Sequence, residues 1–222
     1  MSAVIAPDLT TRERILDCAE TMLQRGGYHG FSFREVAAGI GVKAASIHYH
    51  FPSKGDLAQA VLTRARQRFE QALAHIRATH ATVPARLRAF SALFARTLGD
   101  ADRLCPFCVT ATDREALTPV ANAEVQAFWV GAERWLAAAL AEGRARGELA
   151  LSASADACAR GWVAALEGAM LGARAFGNPR HLAEVVAWLE AGVVPATPGP
   201  PARGGRRPGA RPVTATGVEN AS

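Results

Sequence analysis

The sequence predicts an all-α fold of about nine helices, and three observations carry this. Apolar residues recur at spacings of three and four along most of the chain, the period of one helix face. Alanine, the strongest helix former, dominates the composition. No segment alternates polar and apolar residues as a half-buried strand would, and no internal repeat is visible. With 222 residues, half of them hydrophobic, the chain is long enough for a generous core, in one domain or in one plus a small module.

Met1 to Leu9 reads as a short arm. Thr10 and Glu13 form a capping box that opens the first helix, with Ile15, Leu16, Ala19, Met22 and Leu23 on one face and Gly26-Gly27 at its end. Cys18, in mid-helix, reads as a small buried residue. Tyr28 and Phe31 are expected to pack beneath the next unit, which runs from Ser32. Ser32 and Glu35 form a second capping box, Val36, Ala37 and Ile40 share a face, and Gly41 ends the helix in a left-handed state. Val42 plugs the turn. A short helix of about Lys43 to His50 follows, with Ile47 and Phe51 inward and Lys43, Ser46, His48, Tyr49 and His50 outward. Pro52 stops it, and Ser53 caps a long helix from Lys54 to about Thr79. Leu57, Val61, Ala65, Phe69, Leu73 and Ile76 form its apolar stripe. Arg64, Arg66 and Arg68 lie on the other side, as a solvated face or as phosphate contacts.

Thr82 and Pro84 open a fifth helix that ends at Gly99. A loop over Asp100–Leu104 leads into a short sixth helix in L-C-P-F-C-V-T-A-T-D. Thr118-Pro119 starts a long seventh helix, ending near Gly147, that carries Val125, Phe128, Trp129, Trp135, Leu136 and Leu140. Ser154 caps the eighth, which ends near Phe176-Gly177. Asn178-Pro179 starts the ninth, with Leu182, Val185, Val186 and Leu189 on its face. In the eighth helix Gly161, Ala165, Gly168 and Gly172 recur at steps of four, three and four. Each interior glycine costs about 1 kcal/mol against alanine. Trp162, Leu166, Met170 and Ala173 line an adjacent face, so this helix is apolar nearly all round. It is either the close-packed partner of a helix in a second copy or the central core helix of a monomer. From residue 193 to 222 the chain becomes rich in Pro, Gly and Arg and cannot bury a core. This is a disordered tail, inert or adding salt-sensitive DNA affinity through Arg203, Arg206, Arg207 and Arg211.

The net charge of +5 is misleading in bulk. Residues 1–60 hold six Lys/Arg and six Asp/Glu, whereas the tail from Val193 contributes four Arg and one Glu. Locally, Arg34, Lys43 and Lys54 bracket the short third helix, and no acid lies between Lys43 and Asp56. Phosphate affinity depends on such a patch. No run approaches 18 apolar residues, so no membrane span is expected. The N-terminus lacks an export pattern, so a cytoplasmic location with reduced cysteines follows. Four cysteines do not suggest a disulfide scaffold.

A short helix, braced from one side and polar on the other, suits either a DNA-reading motif or an ordinary helix-turn-helix corner. The stretch A-S-I-H-Y-H-F-P-S-K-G-D-L resembles the recognition-helix signature of the TetR family of transcriptional regulators, met here by Ala45, Ser46, Ile47, His48, Tyr49, His50, Phe51, Pro52, Ser53, Lys54 and Leu57. The upstream T-R-E-R-I-L-D-C-A-E and G-Y-H-G-F-S-F-R-E-V-A-A-G-I-G-V are similar to the family too, so the likeness covers roughly Leu9 to Phe69. It implies a DNA-binding domain over residues 9–69, with its motif at 32–51, and an effector-binding and dimerisation domain over 70–192. Arg34 would reach a base or phosphate. Lys43, Ala44, Ala45, Tyr49 and His50 would face the major groove, and Ser46, His48 and Lys54 would hold phosphates. The last two helices resemble the family's four-helix dimer interface, here with Gly161, Ala165, Gly168, Gly172, Val185 and Leu189. The expected partners are double-stranded operator DNA, a second copy and a small-molecule effector.

Apolar positions place an effector pocket enclosed by the fourth to eighth helices, lined in part by Phe90, Phe94, Cys105, Cys108, Phe128 and Trp162. Cys105-Pro106-Phe107-Cys108 has C-x-x-C spacing, but zinc needs two more ligands, and a thioredoxin-like enzyme needs a βαβ context. At a helix N-terminus Cys105 would have a lowered thiol pKa, as an oxidant or electrophile sensor does; two packing or cavity-lining cysteines are the alternative. His48 and His50, two apart on a helix, point to different sides. There is no phosphate loop, HExxH or GxSxG, so neither enzyme activity nor a cofactor or metal is expected. The expected function is a homodimeric repressor released by a small-molecule or electrophile effector. The rival is a helical small-molecule-binding or thiol-redox protein without a DNA role.

Overall fold

Three helix starts illustrate how local chemistry sets the architecture. Thr10 and Ser53 each accept the amide three residues on while Glu13 and Asp56 reach back to the cap amide, two reciprocal capping boxes. Ser32 makes only half of one: its hydroxyl accepts the Glu35 amide at 3.3 Å and donates to the Glu35 carboxylate at 2.7 Å, so the return bond to the Ser32 amide is missing. The computed structural model describes residues 10–99 and 102–193. The expected arm, part of the loop at Asp100 and the expected tail from 194 onward lie outside that range.

Among the described residues all regular structure is helical: α1 (Thr11–Gly26), a 3-10 turn (Tyr28–Gly30), α2 (Phe33–Ile40), α3 (Ala44–His50), α4 (Lys54–Thr79), α5 (Val83–Leu98), α6 (Pro106–Ala111), α7 (Pro119–Ala145), α8 (Ala155–Phe176) and α9 (Arg180–Ala191). None of these helices is long and apolar enough to cross a membrane. Gly41 closes α2 at φ 71°, a left-handed state that lets its amide return to the last turn and swings the chain into α3.

Two hydrophobic cores result. Ile15, Leu16, Leu23, Phe31, Val36, Ile47, Phe51, Leu57 and Val61 close the first, from α1, α2, α3 and the start of α4. The second is built from the rest of α4 through α9, with Phe90, Leu136, Trp162 and Leu166 deep inside. Tyr28 and Val109 pack against both. Trp162 is sealed in, and its indole N–H donates to Ser91 Oγ at 3.2 Å.

Polar ties hold the two cores together. Arg64, Arg66 and Arg68 do not form a simple solvated face. Arg64 bridges Asp17 (2.8 Å) and Glu20 (2.9 Å) of α1, and Arg68 also binds Glu20. Arg66 pairs with Glu70 and, on α7, Glu124, both at 2.5 Å. The C-terminal end of α1 is gripped as well. Leu104 N donates to Gln24 O at 3.0 Å, Arg174 of α8 donates to the carbonyls of Gln24 and Arg25, and Tyr28 N donates to Asp113 Oδ2 at 2.7 Å. Gly27 permits the last contact, since a Cβ there would sit 2.6 Å from the same carboxylate oxygen at a φ of +69°.

Removing the indole donor tests the second core. Trp162→Phe leaves the buried Ser91 hydroxyl unpaired and is expected to cost about 1–3 kcal/mol in urea unfolding. Adding Ser91→Ala to that background is expected to recover part of the loss, because neither group then needs a partner.

Candidate nucleic-acid interface and ligand cavity

The outward face of α3 exists because its inward face is fully used. Ile47 is 0% exposed and Phe51, just past the helix, is buried, so seven residues that could not hold a helix alone are fixed to the first core. That leaves Lys43, Ala44, Ala45 and His48 exposed, Ser46 and His50 half-buried, and Tyr49 85% exposed. The His48 ring sits edge-on to Phe33 at 4.6 Å, which orients it. Arg34 is exposed on α2. The Arg12 guanidinium of α1 lies 5.2 Å from the Phe51 ring, beside the end of α3. Sequence reasoning missed Arg12 because nothing in its spacing links α1 to the end of α3.

Lys54 departs from a free phosphate arm. Its ammonium lies 4.5 Å from the Tyr28 ring and 4.8 Å from Phe31, and desolvation there lowers its pKa.

A cavity of about 460 Å³ lies between α1, α4, α5, α6 and α7. Phe94, Cys105 and Phe128 line it, together with Phe69 and Phe107. Phe107 stacks on Phe128 at 4.1 Å, and Phe69 leans on Phe128 at 4.8 Å. Three expected residues do not line it. Phe90 is buried behind Phe69 and Phe94 and stacks on Trp135, Trp162 is spent on Ser91, and Cys108 is not on the wall. The enclosing helices also differ from expectation: α8 gives no lining residue, and α1 supplies Asp17, Glu20, Thr21 and Gln24.

The two cysteines flank Glu167 of α8, which is 3% exposed. Neither carboxylate oxygen receives a well-formed hydrogen bond. Burial pushes this carboxyl up to about 7, opposed by the two thiols. Burial, then the Glu167 charge, in turn holds Cys105 well above the ordinary thiol range and Cys108 up to about 12. The lowered pKa expected of Cys105 at the start of α6 is therefore overturned. Desolvation outweighs one end of a six-residue helix, and both groups are neutral thiols near pH 7. Among the described residues no group of three or more His, Cys, Asp or Glu is placed to hold a metal ion.

On the opposite side of the second core, Gly161 and Gly168 are exposed with open space above them, and Ala165 is half-buried. Beside them Leu171 (48% exposed) and, on α9, Trp188 (71%) form an apolar face. Gly172 belongs elsewhere, since a Cβ there would meet the His181 ring at 2.7 Å, so it serves the contact of α8 with α9 within one chain. Leu189 is buried in the same protomer and is not on the open face, while Val185 is half-buried, packed against the same core as Ala165 is.

The sequence pattern of bacterial regulatory proteins of the tetR family covers residues 15–61, and that of the tetracyclin repressor-like C-terminal domain covers residues 83–189. The chain is similar to a TetR-family transcriptional regulator from Agrobacterium tumefaciens, 32% identical, with 82% of this chain and 97% of that one aligned at a TM-score of 0.79. A TetR transcriptional regulator from Legionella pneumophila is 28% identical over 84% of this chain and 98% of its own, with a TM-score of 0.76. Over 58 residues, 26% of the chain, it is 33% identical to the nucleoid occlusion factor SlmA of Shewanella sediminis, and spans 29% of that protein's length.

The buried acid makes stability depend on pH. The unfolded Glu167 carboxyl ionises near 4.5 and the folded one near 7. Between these values the unfolded state has released a proton that the folded state keeps, so raising the pH favours unfolding. Glu167→Gln removes this dependence. Relative to the variant, the parent is expected to lose roughly 3 kcal/mol between about pH 4 and pH 8 in paired denaturant titrations.

Proposed function

The chain belongs to the TetR family and is a DNA-binding transcriptional regulator, and we propose that it acts as a homodimeric repressor released from its operator by a small molecule bound in the cavity described above. One observation carries the release mechanism: α1 and α4, which build the DNA-reading core, also form the cavity wall through Asp17, Glu20, Arg68 and Phe69. A ligand that reshapes the wall shifts the reading core directly. It lowers DNA affinity only to the extent that it binds the displaced arrangement better than the DNA-bound one.

In this reading residues 9–69 are the reading domain and 70–192 the effector and dimer domain, working in the cytoplasm where the operator is. Lys43, Ala44, Ala45, Tyr49 and His50 enter the major groove, with Arg34 at a base or phosphate. Ser46, His48 and Lys54 take phosphates, helped by the amides at the start of α4. Lys54 must leave its two rings to do so, at a cost of about 0.5–1 kcal/mol. Ala44 and Ala45 offer no hydrogen bond, so base readout rests on Arg34, Lys43 and Tyr49. The open face of α8 and α9 around Gly168, Leu171 and Trp188 meets its copy, which sets the two reading helices about 34–36 Å apart or a multiple of it. The protonated thiols, Cys105 buried and Cys108 half-buried, favour a reversible, non-covalent effector over an electrophile.

Two measurements test this. Lys54→Ala is expected to weaken binding to every DNA sequence and to reduce the salt slope by about one, whereas Tyr49→Ala changes the preference between operators. Equal behaviour of the two variants in salt titrations would refute the division of roles. Trp188→Glu is expected to give monomers by sedimentation and to lose most operator affinity while remaining folded, because Trp188 is exposed in the single chain. An unchanged dimer would remove this face as the interface.

A further inference from the structure

From the charges around the cavity we infer the class of effector: an organic anion with an apolar body, whose acidic head competes with Glu20 for Arg68. This rests on the effector reading above. The inner wall is apolar, built from Phe94, Phe107 and Phe128, and the Cys105 thiol among them is uncharged. The charged groups on the wall are Asp17 and Glu20 against Arg68, Arg96 and Arg103.

The two acids are already satisfied. Arg64, which is not on the wall, binds both from behind, and Arg68 binds Glu20 a second time. The other cations are not matched in this way. Among the described residues Arg96 forms no salt bridge. Arg103 reaches Asp102 only at 3.8 Å, and that carboxylate is taken by Arg25 at 2.6 Å. A positive excess therefore lies at the wet end of an aromatic cavity. Guanidinium groups in such a setting form strong charge-assisted bonds to a carboxylate or similar oxyanion. The opposite charge finds no seat: the unpartnered acid of this region, Glu167, lies off the wall.

Competition for Arg68 supplies the switch. Glu20 is held by Arg64 and Arg68, and both pairs join α1 to α4. An anion that takes Arg68 leaves Arg64 as the one salt-bridging tie of α4 to α1 among the described residues, and α1 carries Ile15, Leu16, Ala19 and Leu23 of the reading core.

The test uses the full chain and three matched probes below their micellar concentrations, decanoate, decanol and decylammonium, titrated by calorimetry. Decanoate is expected to bind about tenfold or more tighter than decanol, and decylammonium more weakly than either. Arg96→Gln with Arg103→Gln is expected to narrow the gap between decanoate and decanol severalfold, the remainder resting on Arg68, and leave decanol unchanged. Glu20→Gln removes the internal competitor and is expected to tighten decanoate, not decanol, while weakening operator binding. Equal affinity of decanoate and decanol, or tightest binding of the ammonium, overturns the anion class and keeps the cavity as an effector site. An unchanged response of Glu20→Gln overturns the competition at Arg68. If none of the three binds a protein that still holds its operator, the anion class and the cavity reading fall together.

Discussion

Leu57, Ala58 and Val61 of α4 are buried in the core of the reading domain, and Leu62, Ala65 and Leu73 of the same helix are buried in the core of the larger one. An α-helix transmits displacement along its axis because each turn is hydrogen-bonded to the next, and 26 residues span about 39 Å. The two cores are thus joined by a rigid member that belongs to both. Neither can shift its packing against α4 without presenting a changed surface to the other. The DNA face and the cavity are the two outer consequences of this shared helix.

The junction between the cores is polar where α4 alone would leave it loose. Arg64 and Arg68 fix α1 from one side, while Leu104, Asp113 and Arg174 fix its far end from the other. The Leu104–Gln24 bond is buried, but the Arg68 end of the Glu20 pair is 51% exposed and is open to competition by solvent and solutes. A junction of that kind suits a regulator, whose two arrangements must lie within a few kcal/mol of each other for a ligand to choose between them. Glu167 is the contrasting case. It is buried without a good partner and costs stability in proportion to its ionisation, and burial, then its charge, keeps the neighbouring thiols in the unreactive protonated state.

Much of the fold was legible in the residues. Thr10, Ser53, Thr118 and Ser154 cap the helices they were expected to cap, because a side-chain oxygen accepting an amide three residues away is a local bond that needs no tertiary context. Gly41 and Gly177 end helices in the left-handed state for the same reason. The polar face of α3 was legible from two turns of sequence. So was the position of Cys105 at a helix start, but the lowered pKa expected from it was wrong. The helix end acts locally, whereas burial beside Glu167, sixty-two positions later in the chain, acts more strongly on the same thiol.

The sequence by itself therefore determined the helices, their caps, the turn that aims α3 and the family to which the chain belongs, since all of these are written in contacts within a few residues. Only the tertiary structure decided which faces meet. It placed Gly172 against His181 and left Gly168 open, buried Leu189 and exposed Trp188, drew Arg64 and Arg68 onto α1, and put α1 rather than α8 on the cavity wall. Helical periodicity says that a face is apolar and that an arginine lies opposite it. It cannot say which distant side chain arrives there, because that is set by how whole helices pack and not by any residue's neighbours in sequence.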